Sequence, residues 1–166
     1  MEGLSKREIK VISDLEFQKT HYFTRDDIRN HFTDDRQLTN MIYNLRKKKR
    51  IIKINRSKYY LIPIKARTGR WVDDSFIAAD EILNGKDYFI GGWAAAHYWK
   101  LTDQVPFQVD IWTTRRFGKF ELHNTRYIFH KTTQKRLEKA VTVKIDDHDV
   151  KILNKKDVRK WLKSRQ

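Results

Sequence analysis

Asp34-Asp-Arg-Gln-Leu-Thr-Asn-Met-Ile-Tyr-Asn-Leu-Arg-Lys-Lys-Lys-Arg50 runs directly into Ile51-Ile-Lys-Ile54, the turn Asn55-Arg-Ser-Lys58 and Tyr59-Tyr-Leu-Ile62. Leu38, Met41, Ile42 and Leu45 recur at helical spacing and predict a helix from Asp34 to about Lys49. At about 100° per residue, Arg36, Asn40, Tyr43 and Lys47 lie almost opposite that apolar stripe. Thr39 and Asn44 flank them, and Gln37 sits at the shoulder nearer Met41. Arginine fits the acceptors of guanine, and Asn or Gln fits adenine, so these are residue types that read base edges. The cationic tail Arg46 to Arg50 suits phosphates. The two β-rich runs form a hairpin with a basic tip. The expected DNA-contacting set is Arg36, Gln37, Thr39, Asn40, Tyr43, Asn44, Lys47, Lys48, Arg50, Asn55, Arg56 and Lys58. A merely solvated helix face, in a helical bundle capped by a hairpin, would give the same pattern.

Upstream, Leu4, Val11, Ile12 and Leu15 predict a helix over Leu4 to Phe17. Thr24 followed by Arg25-Asp-Asp27 predicts an N-cap with acids in the first turn of a short second helix, which buries Ile28 and Phe32. Short helices followed by a basic hairpin predict a winged helix-turn-helix over residues 1–66, its third helix entering the major groove.

The whole chain has 166 residues, enough for one ordinary domain or two small ones. It carries 36 Lys and Arg against 21 Asp and Glu, a net charge of +15, which draws it to polyanions, nucleic acid first. An anionic membrane surface, an acidic protein or a simply solvated basic exterior compete with that reading. It has no cysteine, which excludes disulfides, thiolate metal sites and a cysteine nucleophile. No apolar run approaches the roughly 20 residues of a membrane span, and no signal peptide is visible. A cytoplasmic location without membrane contact is expected.

Pro63 and Gly69 punctuate a boundary at about residues 63 to 69. Beyond it, Trp71 to Leu83 reads as a helix burying Val72, Phe76, Ala79 and Leu83, stopped by Gly85. Asp87 to Gly91 reads as a buried strand and Gly92 to Trp99 as an alanine-rich helix with His97 in the core. Phe107 to Thr113 alternates Phe107, Val109 and Ile111 against Gln108, Asp110 and Trp112. Lys119 to His123 and Thr125 to Phe129 are its expected antiparallel partners. Val141 to Ile145 and Val150 to Leu153 form a hairpin around the turn Asp146 to Asp149. Asn154, with Asp157 three residues on, caps a last helix burying Val158, Trp161 and Leu162. The fold class expected is α+β: the winged helix followed by a small mixed α/β domain, residues 67–166, with a mainly antiparallel sheet.

Tyr88-Phe-Ile-Gly91, Ala95-Ala-His-Tyr-Trp99, Leu101-Thr-Asp-Gln-Val-Pro106 and Val109, Ile111, Thr113-Thr-Arg-Arg116 resemble the core signature of the AbiEi-type antitoxins, and Tyr60-Leu-Ile-Pro63 and Gly69-Arg-Trp71 extend the likeness upstream. The resemblance implies a repressor of its own operon, bound to double-stranded operator DNA, with inverted repeats the expected arrangement. It also implies a C-terminal domain that counters, directly or indirectly, a nucleotidyltransferase-like toxin of a type IV toxin–antitoxin, abortive-infection system. Lys100 stands where the family usually has glycine. The sequence ends at Gln166, where the family commonly continues into further helices, so the expectation is either a short member of the family or a chain cut at that point. The basic strip Arg115, Arg116, Lys119 and Arg126 is a candidate second surface.

No catalytic residue, metal or cofactor is expected. Asp146, Asp147, His148 and Asp149 read as a polar turn rather than the spaced ligands of a metal site. Asp110 with Asp149-Val-Lys151 loosely matches a metal-dependent nuclease pattern. That enzyme, targeted by a winged helix, and a protein-interaction adaptor are the alternatives to a repressor. Trp93, Tyr98, Trp99 and Trp112 could stack nucleobases or simply pack the second domain. No P-loop, dinucleotide fingerprint or serine triad occurs.

Overall fold

The computed structural model describes residues 3–64 and 74–165. The chain forms two compact units, Met1–Trp71 and Val72–Gln166. The expected boundary near Ala66, the Gly69-Arg-Trp71 motif and the Trp71–Val72 start of the next helix lie outside the described residues.

In the first unit, α1 spans Lys6–Phe17. Ser5 caps it: its hydroxyl accepts from Glu8 N, while Ser5 N donates to the Glu8 carboxylate at 2.6 Å. This reciprocal capping box satisfies two otherwise orphaned donors. Strand β1, Tyr22–Thr24, follows, then a 3-10 helix, Asp26–His31. The sequence predicts an α-helix capped by Thr24. Instead Thr24 ends β1, and its backbone N–H and hydroxyl both donate to Asp27 Oδ2 at 2.6 and 2.8 Å. The Thr24 hydroxyl is thus a donor to Asp27 rather than the acceptor a helix N-cap needs, and the 3-10 segment has Arg25 at its N-cap with no side-chain cap bond. Helix α2, Asp35–Lys47, is capped by Asp34, whose carboxylate accepts from Gln37 N at 2.8 Å. Strands β2, Ile51–Lys53, and β3, Lys58–Leu61, form the hairpin. The sheet order is β1-β3-β2, antiparallel throughout. Val11, Ile12, Leu15, Phe23, Ile28, Leu38, Leu45 and Leu61 fill one continuous core.

In the second unit, α3 spans Ser75–Leu83, capped by Asp74. It buries Ile77, Ala78, Ala79, Ile82 and Leu83, with Phe76 only partly covered, and Asn84 in the left-handed region ends it one residue before Gly85. Then come β4, Tyr88–Gly91; α4, Gly92–Tyr98; β5, Gln108–Thr113; β6, Gly118–Leu122; β7, Thr125–Lys131; a short α5, Gln134–Leu137; β8, Ala140–Ile145; β9, His148–Leu153; and α6, Lys155–Lys163. The six strands lie in the order β6-β7-β5-β4-β9-β8.

This sheet is mixed: three pairings, β4–β5, β6–β7 and β8–β9, are antiparallel, and two are parallel. β5 is antiparallel to β4 but parallel to β7, and β4 is parallel to β9. The excursion through β6 lets β7 return alongside β5 in the same direction. One face stacks Ile90 beside Ile111 and Ile152, and Ile111 beside Phe129, all buried. Tyr88 on that face donates its hydroxyl to Asp80 of α3 at 2.7 Å and accepts from Lys151 N, and burial raises its pKa. Three expectations about side chains change. Phe107 precedes β5 and is 76% exposed. His97 is exposed, because Ala94, Ala95 and Ala96 make the buried side of α4. The β8–β9 turn is only Asp146-Asp147, both at positive φ, so His148 and Asp149 belong to β9.

Candidate nucleic-acid interface

Helix α2 packs Leu38, Met41, Ile42 and Leu45 inward. Arg36, Asn40, Tyr43, Asn44 and Lys47 are exposed, Tyr43 to 65%. Leu, Met and Ile on one side thus orient the polar stripe on the other. The helix is anchored through Asp35, which accepts from Arg25 at 3.0 Å and Arg29 at 3.3 Å. Arg25 chiefly, with Arg29 adding, holds the Asp35 carboxyl below its ordinary range.

The structure divides the expected contact residues into exposed groups and groups engaged inside the fold. The Thr39 hydroxyl donates to the Asp35 carbonyl and accepts from Arg25, both at 2.9 Å. Gln37 is half-buried, and its side-chain oxygen lies buried with no hydrogen-bond partner among the described residues. Lys48 does not face solvent as a phosphate clamp would. Its ammonium donates to both Glu8 carboxylate oxygens, at 2.8 and 3.1 Å, and to the Gly3 carbonyl at 2.9 Å. Arg50 is half-buried and donates to the Ile62 carbonyl at 3.0 Å. Asn55 accepts from Ser57 N and Lys58 N, each at 2.9 Å, so its side chain builds the hairpin turn. Arg56 is exposed at that tip, and Lys58 is half-exposed. Arg46 and Lys49 of the cationic tail are exposed as well, and so is Lys53, which residue type and spacing do not single out. Arg7 is a further cation beside this face: it donates to the His31 carbonyl at 3.0 Å and stacks 4.8 Å over Phe32. Ser5, Arg7, Gln37, Asn40 and Asn44 line one shallow groove of about 250 Å³.

In the strip of the second unit, two of the four cations are paired with carboxylates. Arg115 pairs with Asp87 at 2.9 Å, and Arg126 with Glu121 at 3.1 Å. Arg116 lies 4.2 Å over the Phe129 ring, where burial lowers its pKa. Arg115, Lys119 and Arg126 are exposed, and of these Lys119 makes no ion pair among the described residues.

Asp110 and Asp149 are not brought together. Asp110 is level with Gly91 on β4, while Asp149 lies three residues before Ile152, the partner of Ile90, toward the other end of the sheet and two strands away. Asp110 accepts from Gln108 Nε2 at 3.2 Å and contacts His130 Nε2 at 2.8 Å. Among the described residues no group of three His, Asp or Glu could hold a metal ion. No helix among them is long and apolar enough to cross a membrane.

No protein-family model matches the sequence, and a search of curated proteins gives no match. Among solved structures, the crystal structure of the RV2827C protein from Mycobacterium tuberculosis is similar, with a TM-score of 0.57 and 14% sequence identity over 86% of this chain. The match covers 51% of that protein, so the present chain spans about half its length. At this identity the likeness shows a shared α+β fold.

Proposed function

We propose that the chain is a DNA-binding transcriptional regulator acting in the cytoplasm. Its first unit serves as a winged helix, with α2 as the recognition helix and the β2–β3 hairpin as the wing. The observation that carries this reading is the exposed stripe Arg36, Asn40, Tyr43 and Lys47 on a helix whose opposite side is locked into the core. The exposed cations Arg46, Lys49, Lys53 and Arg56 on the helix end and hairpin support it. Arg36 and Asn40 read base edges, and the lysines neutralise phosphates. In a titration of duplex DNA from the region upstream of its own gene, log K falls with log salt at a slope near −5 if about six phosphates are neutralised. A flat salt response overturns the reading.

The AbiEi resemblance supports a second assignment, that the unit from Val72 onward opposes a nucleotidyltransferase-like toxin. Co-expression with such a toxin tests it: rescue by residues 1–71 alone overturns the assignment. We propose no catalytic step. Cleavage of plasmid DNA with magnesium or manganese, lost on Asp110→Ala, would replace the regulator by a nuclease.

A further inference from the structure

On the face of the second sheet opposite Ile90 and Ile111, the chain carries a row of rings. Phe89 and Trp112, paired across β4 and β5, stack at 5.7 Å, and Trp112 stacks on His130 of β7 at 4.6 Å. The row ends at a groove of about 320 Å³ walled by Phe89, Trp112 and Trp161 of α6. Its rim is cationic: Arg136, Lys139 and Lys160. The groove's single acid, Asp157, is already engaged, by Asn154 Nδ2 at 2.8 Å and by Lys160 at 3.8 Å. The Asn154 hydrogen bond chiefly, then Lys139, Lys160 and Lys156, hold its carboxyl below the ordinary range, and Arg136 lines the same groove. Arg165 adds a guanidinium 5.5 Å over the Trp161 ring.

We propose that this groove binds one nucleotide, the base packed on the aromatic wall and the phosphate held by Arg136, Lys139 and Lys160. The argument from chemistry is complementarity on two sides of one cavity. Aromatic surface lining a groove packs against a base, and a surplus of cations over acids beside it favours an anion. The volume lies at the lower end of small-ligand sites and fits one nucleotide rather than a longer segment. The nucleotide can be free or one unit of a single strand. This site belongs to the second unit and the duplex-reading face on α2 to the first, so the proposal does not depend on that reading.

The full chain is titrated with ATP, adenosine, pyrophosphate and a single-stranded deoxyadenosine hexamer, followed by tryptophan fluorescence and calorimetry. ATP is expected to bind at least about tenfold tighter than either adenosine or pyrophosphate, because each lacks one half of the recognition. Tighter binding of ATP than of the hexamer identifies a free nucleotide as the source, and the reverse a single strand. The double variant Lys139→Glu/Lys160→Glu is expected to weaken ATP about tenfold or more, and Trp161→Ala by a similar factor, with Trp161→Phe retaining binding. Arg36→Ala/Lys47→Ala leaves ATP binding unchanged, which separates this site from the DNA-reading face. Unchanged ATP affinity in the charge-reversed protein overturns the proposal. So does pyrophosphate binding as tightly as ATP, which would reduce the groove to a basic patch.

Discussion

The ammonium of Lys48 lies 2.8 Å from the carboxylate of Glu8, forty residues earlier in the chain, with their side chains only 17% and 3% exposed. The pair joins the end of α2 to the start of α1, and Glu8 also closes the capping box with Ser5. It turns the middle of the basic run Arg46 to Arg50 into a structural tie.

Removing one partner of such a pair leaves the other charge buried. Lys48→Ala is therefore expected to destabilise the first unit by about 3 kcal/mol. Lys47→Ala, at an exposed position, is expected to leave the thermal midpoint alone and lower the magnitude of the salt slope of duplex binding by about one. Thermal unfolding and salt titration of the two variants check this. A reduced salt slope in Lys48→Ala, with stability intact, would restore Lys48 as a phosphate contact.

The same pair gives an acid limb to stability. Burial alone would raise the Glu8 pKa, but Lys48 and Ser5 outweigh it, and the net value falls below 4.5. A folded-state pKa below the unfolded one means the stabilisation is fully present above about pH 4.5 and is lost as pH falls through the depressed value. Unfolding of wild type and Glu8→Gln between pH 7 and 3 should show the variant less stable at pH 7, the difference shrinking toward pH 3. A pH-independent difference would mean that the ionised carboxylate contributes nothing.

On α2, Arg36→Ala and Asn40→Ala should each cost roughly 1–3 kcal/mol on the cognate operator and little on random duplex, because base-edge contacts carry the sequence information. Thr39→Val should change specificity less than either, since Thr39 already bonds Asp35 and Arg25. Competition binding with the two duplexes measures this. Equal losses on both for Asn40→Ala would place the reading face elsewhere.

Helices α1 and α2 were legible because their apolar residues recur with the helical period. That phase also held information about the charges: Lys48 follows Met41 and Leu45 by seven and three residues, and Glu8 precedes Val11 and Ile12 by three and four. Both lie on buried stripes, so their inward orientation was readable, whereas their pairing depends on how the two helices pack. Strand β1 was not legible, since three residues show no period and its identity comes from pairing with β3. The parallel β5–β7 pairing was not legible either. Strand direction is set by partners far along the chain, and Lys119 to Phe129 reads as a hairpin whichever neighbour it meets. The groove between β4, β5 and α6 required that long-range order, although its tryptophans were visible as candidates.

Gly91 has no room for a side chain. A Cβ there would stand 2.6 Å from Trp112 Cζ3 and 2.8 Å from Cε3. Trp112 is held between Phe89 and His130 and cannot swing aside without breaking the ring row. Gly91→Ala should therefore cost about 1–3 kcal/mol and alter the near-ultraviolet dichroism of the tryptophans. An unchanged thermal midpoint would show that Trp112 moves freely.

Three helices end on a lysine in the left-handed conformation: Lys19 after α1, Lys49 after α2 and Lys100 after α4, at φ 56°, 55° and 54°. Each closes with the paired hydrogen bonds of a Schellman motif. At Lys100 they run from Leu101 N to the Ala96 carbonyl at 2.9 Å and from Lys100 N to the His97 carbonyl at 3.0 Å. Glycine ordinarily fills this position because a Cβ is strained there. A lysine recovers part of that strain, since its cation lies near the negative end of the helix dipole. Strain relief should exceed both that charge effect and the greater entropy glycine loses on folding, so Lys100→Gly is expected to stabilise the protein by about 0.5–1 kcal/mol. Lys100→Ala isolates the two contributions: it keeps the strained Cβ and loses the charge, so it should be less stable than wild type. Denaturant unfolding of the full chain, with both variants beside wild type, measures the order Gly, Lys, Ala. If the alanine variant matched or exceeded the glycine variant, backbone strain would not be what distinguishes this helix end.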